Sequence, residues 1–512
     1  MPNLTLLPLL TLPNPNHDLT FLSSTFPLQS LWPYLFSLLL PILLLPLLKA
    51  PPSYAPPGCR KLGIPRSKSN LNDEFAPEYA HASPADKDGR PSCRIKALFT
   101  YPIKSCAGVE LDTAEVVETG LKYDRMFCFA EFVERSPQPS RATAAATETA
   151  PPTTTKPKQE KEKEGDWIAR TLRNRTFNTL ALLQPEIWIP DSSSPTYSPS
   201  LPEVKSQGAL VITYPRVQPS LLTKLLIALH LLPSRLSFSI PLSPTAQKSQ
   251  SYPLTPVQIW KDSPLAYNYG THIPSSLWTF LSSGSEKLTD PHKKRTISLF
   301  RSHPTHNREI FRSAPRKAEL GFQPVTGFAD AYPLHLLNLA SVRDVGERCK
   351  RDIDRLSVRR FRANVVVTGP GRFEEDAWKR IFVHQDRWRG SGSSSGVGGE
   401  DLSLKNRYEN GDEEDNGEGN GVEIHTVCRT IRCRLPNVDP DTGDRHRSEP
   451  DRTLKSYRRI DPGDLTNACL GMQLVPGVRE FTLRVNDPIS VLETGEHCYI
   501  KMLAPGEKVE GV

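Results

Sequence analysis

Two tracts in this chain cannot form packed core, and they decide how the rest must be organised. Residues 134–165 run through Pro, Thr and Ala into an alternating Lys/Glu stretch. Residues 389–422 are Gly/Ser-rich and then acidic at Asp412–Asp415. Neither places apolar residues at helix or strand spacing, so both read as disordered insertions. The segments that precede the first tract, Arg94–Tyr101, Ala114–Glu118 and Met126–Val133, alternate in hydropathy and are separated by turn residues. That pattern predicts strands of a compact antiparallel barrel with loops let into it. The 49 prolines among 512 residues agree that much of the chain lies outside any core, and the length suits two to four domains.

The N-terminus reads differently. Leu28–Leu48 carries no charge, and about 20 apolar residues suffice to cross a bilayer. Pro33, Pro41 and Pro46 predict a kinked or partly interfacial helix. No positive leader or Ala-x-Ala site frames the run, which argues against a cleaved signal peptide. Lys49, Arg60, Lys61, Arg66 and Lys68 follow it, so the positive-inside bias puts everything downstream in the cytosol. Residues 1–50 are therefore expected to be a membrane anchor. Residues 51–91, proline-rich and charged, are expected to be a disordered tether.

Structure resumes after the first insertion at Trp167–Arg170 and Leu180–Pro190. Leu210–Tyr214 and Val257–Asp262 read as strands, Leu221–Leu232 and Ser275–Leu281 as helices, and residues 191–206 and 240–256 as Ser/Pro loops. The basic run from His292 through Arg308, Arg312 and Arg316 fits a solvated face or a segment near an anion site. Gly327–Pro333 reads as a turn opening a helix, with Leu336, Leu337, Leu339, Val342 and Val345 at helical spacing. Arg360–Val367 is expected to be a strand that puts Arg362 and Asn364 on one face. Glu374, Glu375 and Asp376 fall in a first helical turn, where the helix dipole favours acids. Ile489–Met502 should supply two closing strands around Gly495.

Nine cysteines at irregular spacing do not form a disulfide framework and fit reduced thiols. The net charge of +7 is dispersed, with no aromatics interleaved among the cations, which excludes nucleic acid as a partner. One cysteine stands out. Cys433 ends a short apolar and basic run, beside Arg429, Arg432 and Arg434, and precedes the turn Val438–Gly443. Neighbouring cations favour the thiolate, the form that binds soft metals. Its rival, Cys428, lies five residues earlier and on the other face of a strand. No Cys-x-x-Cys pair accompanies them, so zinc is not expected.

The stretch from His425 to Gly443 resembles the metal-binding segment of the MOSC family, named for the C-terminal domains of molybdenum cofactor sulfurases. The resemblance continues in Glu449-Pro450, Thr453–Arg458 and Gly471-Met472. Upstream it takes in Phe361-Arg-Ala-Asn-Val365 and Phe373–Trp378, with Ala363 in place of a proline. Tyr101-Pro-Ile-Lys-Ser-Cys106 and Gly120–Arg125 resemble the β-barrel half that precedes MOSC domains. Within the family the likeness is to the membrane-anchored amidoxime-reducing branch.

The resemblance implies a β-rich α+β protein: an N-terminal MOSC β-barrel domain over 92–285, then a MOSC β-barrel domain over 286–508. It implies the molybdenum–molybdopterin cofactor, with Cys433 as catalytic metal ligand and Lys104, Ser105, Arg125, Asp330, Arg362, Asn364 and Arg432 binding the cofactor. The sequence departs from the branch at Ala331, which offers no hydroxyl beside Asp330. The implied reaction is reduction of N-hydroxylated substrates with electrons from cytochrome b5 and its NADH-dependent reductase. The implied location is the outer mitochondrial membrane or the endoplasmic reticulum. A looser family association is pyridoxal phosphate. Two alternatives stay open: a sulfur carrier or sulfurtransferase holding a persulfide on Cys433, and a non-catalytic cofactor-binding protein.

Overall fold

The computed structural model describes Ser37 and residues 55–84, 92–135, 164–245, 252–283, 295–385 and 421–501. Apart from Ser37 the expected anchor at 28–48 lies outside them, as do 136–163 and 386–420 of the two insertions. No helix of the described residues is long and apolar enough to cross a membrane.

The central element is an eight-stranded sheet. Its strands run, edge to edge, Ile489–Thr494, Trp378–His384, Gly421–Ile431, Cys469–Pro476, Leu334–Asn338, Val365–Thr368, Arg94–Thr100 and Val109–Leu111. A closed barrel is formed by Leu254–Gln258, Leu265–Asn268, Ile297–Ser302, Phe127–Glu134 and Gly165–Ala169. A four-stranded sheet of Cys59–Lys61, Gln184–Pro190, Ala209–Pro215 and Arg235–Pro241 adds a third layer. The β-rich α+β class follows from the patterning. Phe127–Glu134 buries its first four residues, and its ring Phe127 packs edge-on against Tyr269 at 5.4 Å. Residues 218–234 group apart from 54–217 and 235–512, and within them Ser220 caps the helix Leu221–Ala228 by accepting from the Thr223 amide.

The strands do not follow a boundary at residue 285. Arg94–Thr100 pairs with Val365–Thr368, from far downstream. Ile297–Ser302 closes the barrel against Phe127–Glu134. Two lengths of chain therefore interleave, and hydrogen bonding in the sheets ties them together.

Several expectations need correction. Residues 55–84 are not a disordered tether: Cys59–Lys61 pairs with Trp188–Pro190, and buried Glu74 accepts from the Val358 amide at 2.9 Å. Leu334–Asn338 is a strand, buried at every residue. The helix begins at Leu339, with Asn338 as its cap. Buried on both faces, this strand shows no strict alternation, and its leucines pass for helical spacing. The strand expected at 360–367 starts only at Val365. Before it, Val358–Phe361 is a 3-10 turn that Arg362 closes with φ 57°. Glu374–Ala377 is one such turn as well. Buried Glu375 there accepts from Asn338 Nδ2 at 3.0 Å and Ser341 Oγ at 2.9 Å, while Asp376 pairs with Arg458. Interior partners, not a helix dipole, explain these acids. After Ile489–Thr494 no second closing strand forms among the described residues.

Candidate active site

The strand Gly421–Ile431 alternates inward and outward until Val427, then buries Cys428, Arg429 and Thr430 in succession. Its pairing with Cys469–Pro476 shifts register twice over this end, and bulges of this kind re-aim side chains. Past Ile431 the chain leaves the sheet, held by the Arg432 amide on the Ala468 carbonyl at 2.8 Å. Cys433 therefore lies in a loop and not on the strand, so the expected alternation of faces does not apply to it. The outcome for the two cysteines is still unequal. Cys433 is half-buried on the wall of a cavity of about 550 Å³. Cys428 is fully buried beside Tyr332, outside that wall, and burial pushes its thiol up to about 12.

The same cavity is lined by Lys104, Ser105, Arg125, Asp330, Arg362, Asn364 and Arg432. All eight residues singled out in the sequence thus meet at one place. Two segments from the start of the fold are cross-braced to make its inner wall. The Tyr101 amide donates to Asp124 Oδ1 at 2.8 Å, the Arg125 amide to the Tyr101 carbonyl at 2.7 Å, and the Lys104 amide to the Phe127 carbonyl at 2.8 Å. Ser105, at φ 70°, accepts from the Leu172 amide at 3.2 Å. The guanidinium groups of Arg125 and Arg362 both lie over the ring of Tyr101, at 4.7 and 4.3 Å from its centre.

The cations differ in how far they are neutralised. Arg125 is taken up by Asp124 at 2.5 Å, by Asn364 Oδ1 at 3.0 Å and by the Arg362 carbonyl at 3.0 Å. The Asn364 amide is in turn committed to Arg125, to the His335 amide and to the Phe99 carbonyl. Asn364 accordingly positions Arg125. Burial pushes the Lys104 ammonium down, although it donates to Asp330 at 2.5 Å and to the Phe328 carbonyl at 2.8 Å. Burial acts to raise the Asp330 carboxyl, but Lys104, with Arg125 and Arg308, outweighs it and holds that group at about 2.

Arg432 and Arg362 stand apart. Among the described residues Arg432 donates to the Leu470 and Phe361 carbonyls and to His335 Nε2 at 2.7 Å. Burial pushes its guanidinium down to about 9. His335 is kept neutral, its pKa driven well below the usual range by burial and then by Arg432. Arg362 Nη2 is buried without a hydrogen-bond partner among the described residues. Burial without a counter-charge is costly for a guanidinium. A cavity wall carrying eight Lys and Arg side chains against one carboxylate, Asp330, is therefore a seat for an anion.

Cys433 departs from expectation in one respect. Burial raises its thiol, and Arg173 and Arg432 only partly oppose this. The cations alone do not make it a thiolate. Sequence reasoning also left one residue open and missed two. Arg308, left open as surface or site, is buried and joins Asp262 at 2.7 Å to the Ala329 carbonyl at 2.7 Å, which shapes the loop of Asp330. His335 and Trp260 were missed too, because isolated residues in strand-like text carry no local signal.

The residues present fit a pterin-borne, phosphorylated metal cofactor: buried cations with an orphaned donor, and one thiol facing the same space. Among the described residues no three His, Cys, Asp or Glu side chains converge to hold a metal by themselves. A metal at Cys433 would need to arrive with ligands of its own. Pyridoxal phosphate is not supported: its chemistry needs a free amine, and Lys104 is bound to Asp330.

Residues 92–147 match the MOSC N-terminal beta barrel domain, and residues 323–509 match the MOSC domain. The chain is 30% identical over 185 residues to a protein named mitochondrial amidoxime-reducing component 1 of Mus musculus, covering 35% of this chain and 42% of the relative. It is 33% identical over 167 residues to mitochondrial amidoxime reducing component 2 of Rattus norvegicus, covering 32% and 37%. It is 28% identical over 172 residues to component 1 of Homo sapiens, covering 32% and 38%. The chain thus spans less than half the length of these curated relatives. Each of the eight cavity residues lies inside one of the two matched segments. The chain thus carries a match to a MOSC N-terminal beta barrel domain followed by a match to a MOSC domain.

Proposed function

We propose that this chain is a molybdenum-cofactor-dependent oxidoreductase that reduces N-hydroxylated substrates. One observation carries the reading: Arg362 and Arg432, buried without carboxylates, meet Cys433 on the wall of one cavity. The relatives' printed name, amidoxime-reducing component, supplies the substrate class. Lys104, Arg362 and Arg432 would bind the phosphate and pterin by charge-assisted hydrogen bonds. Asp330 and Arg308 would keep Lys104 aimed, and Asn364 would hold Arg125. Cys433 would bind the metal through sulfur, releasing its proton as the metal is bound. When bound, the cofactor supplies the two-electron change that removes oxygen from the substrate nitrogen.

The balance for an amidoxime is two electrons and two protons in, amidine and water out. The electrons are assigned to an external protein donor of the cytochrome b5 type. The uncharged segment Leu28–Leu48 is proposed as the membrane anchor, consistent with the word mitochondrial in the relatives' names. The test is metal and pterin analysis of the full chain from a host that makes the cofactor. Stoichiometric molybdenum with amidoxime reduction is expected. Metal-free protein with cyanide-labile sulfur on Cys433 would move the assignment to a sulfur carrier.

A further inference from the structure

The mouth of the cavity holds a pair of residues that the cofactor reading leaves without a role. Ile259 and Asp262 exchange backbone hydrogen bonds at 2.8 and 3.1 Å, so Trp260 and Lys261 form a two-residue turn between barrel strands. Trp260 takes the first turn position with φ 58°. That position favours glycine, and a bulky residue there is strained. The ring is also 41% exposed. Neither folding nor core packing therefore accounts for a tryptophan at this place.

The turn is nonetheless fixed. Asp262 is gripped by Arg308, whose guanidinium also binds the carbonyls of Ala329 and Asp330 on the cavity wall. Opposite stands Arg173, on a turn braced by Thr171 and Asn174. Its guanidinium lies over the Trp260 ring at 4.9 Å. It is exposed and has no carboxylate or carbonyl partner among the described residues. Both residues line the cavity, and both fall outside the matched segments 92–147 and 323–509.

We propose that Trp260 and Arg173 form a clamp that selects planar aromatic substrates bearing a carboxylate. Trp260 offers an exposed indole for the ring to pack against. Arg173, its guanidinium 4.9 Å from the indole centre, offers donors to an anion at the ring's edge. Taking the N-hydroxylated group from the reductase reading above, the substrate enters with that group towards Cys433 and its carboxylate at the mouth. Arg173, exposed at the mouth beside Trp260, is the cation assigned to the substrate carboxylate.

The test uses the cofactor-loaded full chain and three amidoximes: aromatic with a ring carboxylate, the same ring without it, and a small aliphatic one. Wild type should show the lowest KM for the carboxylated compound. Trp260→Gly should raise the KM for both aromatics by roughly 10-fold, leaving kcat and the aliphatic KM unchanged. Because glycine relieves the turn strain, its melting temperature should hold or rise. Arg173→Glu should raise the KM of the carboxylated compound alone, again by about 10-fold. Equal changes for all three substrates, or a destabilised Trp260→Gly with selectivity intact, would overturn the clamp. Calorimetry with the corresponding amidines, which are not reduced, reads the clamp without turnover. Charge-selective, Trp260-dependent amidine binding without any reduction would sink the reductase reading and keep the clamp. Reduction with indifferent amidine binding would sink the clamp alone.

Discussion

Cys428 and Cys433 are separated by five residues of one segment and differ in almost everything that matters chemically. Cys428 is enclosed by the sheet, packed with Tyr332, Ile310 and Val475. Cys433 comes after the last strand residue, where the chain turns out along a cavity wall crowded with guanidinium groups. The difference teaches that reactivity here is set by where the strand stops. A sulfur one turn short of that point is core, whatever its neighbours in sequence.

The largest expected effect breaks the comparison directly. Removing outer partners of a metal ligand costs roughly 10–100-fold, so removing the ligand itself should exceed that. Cys433→Ser should therefore lose reductase activity by more than about 100-fold, while Cys428→Ser keeps activity within a few-fold and loses some thermal stability. Steady-state rates and melting curves check both. Equal losses in the two variants would erase the distinction.

Arg432→Ala and Arg362→Ala come next. Each removes charge-assisted contacts of about 1.5–3 kcal/mol, or roughly 10–100-fold in cofactor affinity. Pterin content per chain should fall in both, ahead of any change in kcat per bound cofactor. Normal occupancy would mean that these guanidinium groups face something else.

A smaller effect lies away from the cavity. Burial, then Asp376, pushes Glu375 up to about 7 from an ordinary 4.5. Between those values the folded chain holds a proton that the unfolded chain has lost, so stability falls as pH rises through the window and stays low above it. The loss is on the order of 1–3 kcal/mol. Glu375→Gln can still accept from Asn338 and Ser341, so its melting temperature should exceed wild type at pH 8 and match it near pH 4.5. A parallel pH dependence in both proteins would contradict this.

The smallest effect is expected at the two insertions. Glu134 pairs with Gly165, and His384 with Gly421, so each insertion departs from and rejoins a paired hairpin. Replacing 136–163 or 386–420 with a short Gly/Ser turn should leave melting temperature and bound cofactor unchanged. Deleting residues 1–50 should likewise keep the cofactor while releasing the chain from membranes, which fractionation tests.

What was legible in the sequence followed from local pattern or from a known motif. Phe127–Glu134, rich in aromatic and β-branched residues and bounded by turn residues, is a strand. Lys104, Arg125, Arg362, Asn364, Arg432 and Cys433 carry recognisable motifs and share one cavity. Leu334–Asn338 was not legible, because a strand buried on both faces loses its alternation. Residues 55–84 lack periodicity and are ordered by partners far along the chain, as Glu74 is by Val358. Trp260 gave no signal because its anomaly, a strained φ beside a cavity, exists only in three dimensions.

The central claim, that Cys433 and not Cys428 binds the metal, is tested most directly by X-ray absorption at the molybdenum edge on the loaded full chain. The account predicts one sulfur ligand fewer in Cys433→Ser than in wild type, and no change in Cys428→Ser. An unchanged sulfur count in Cys433→Ser would contradict it.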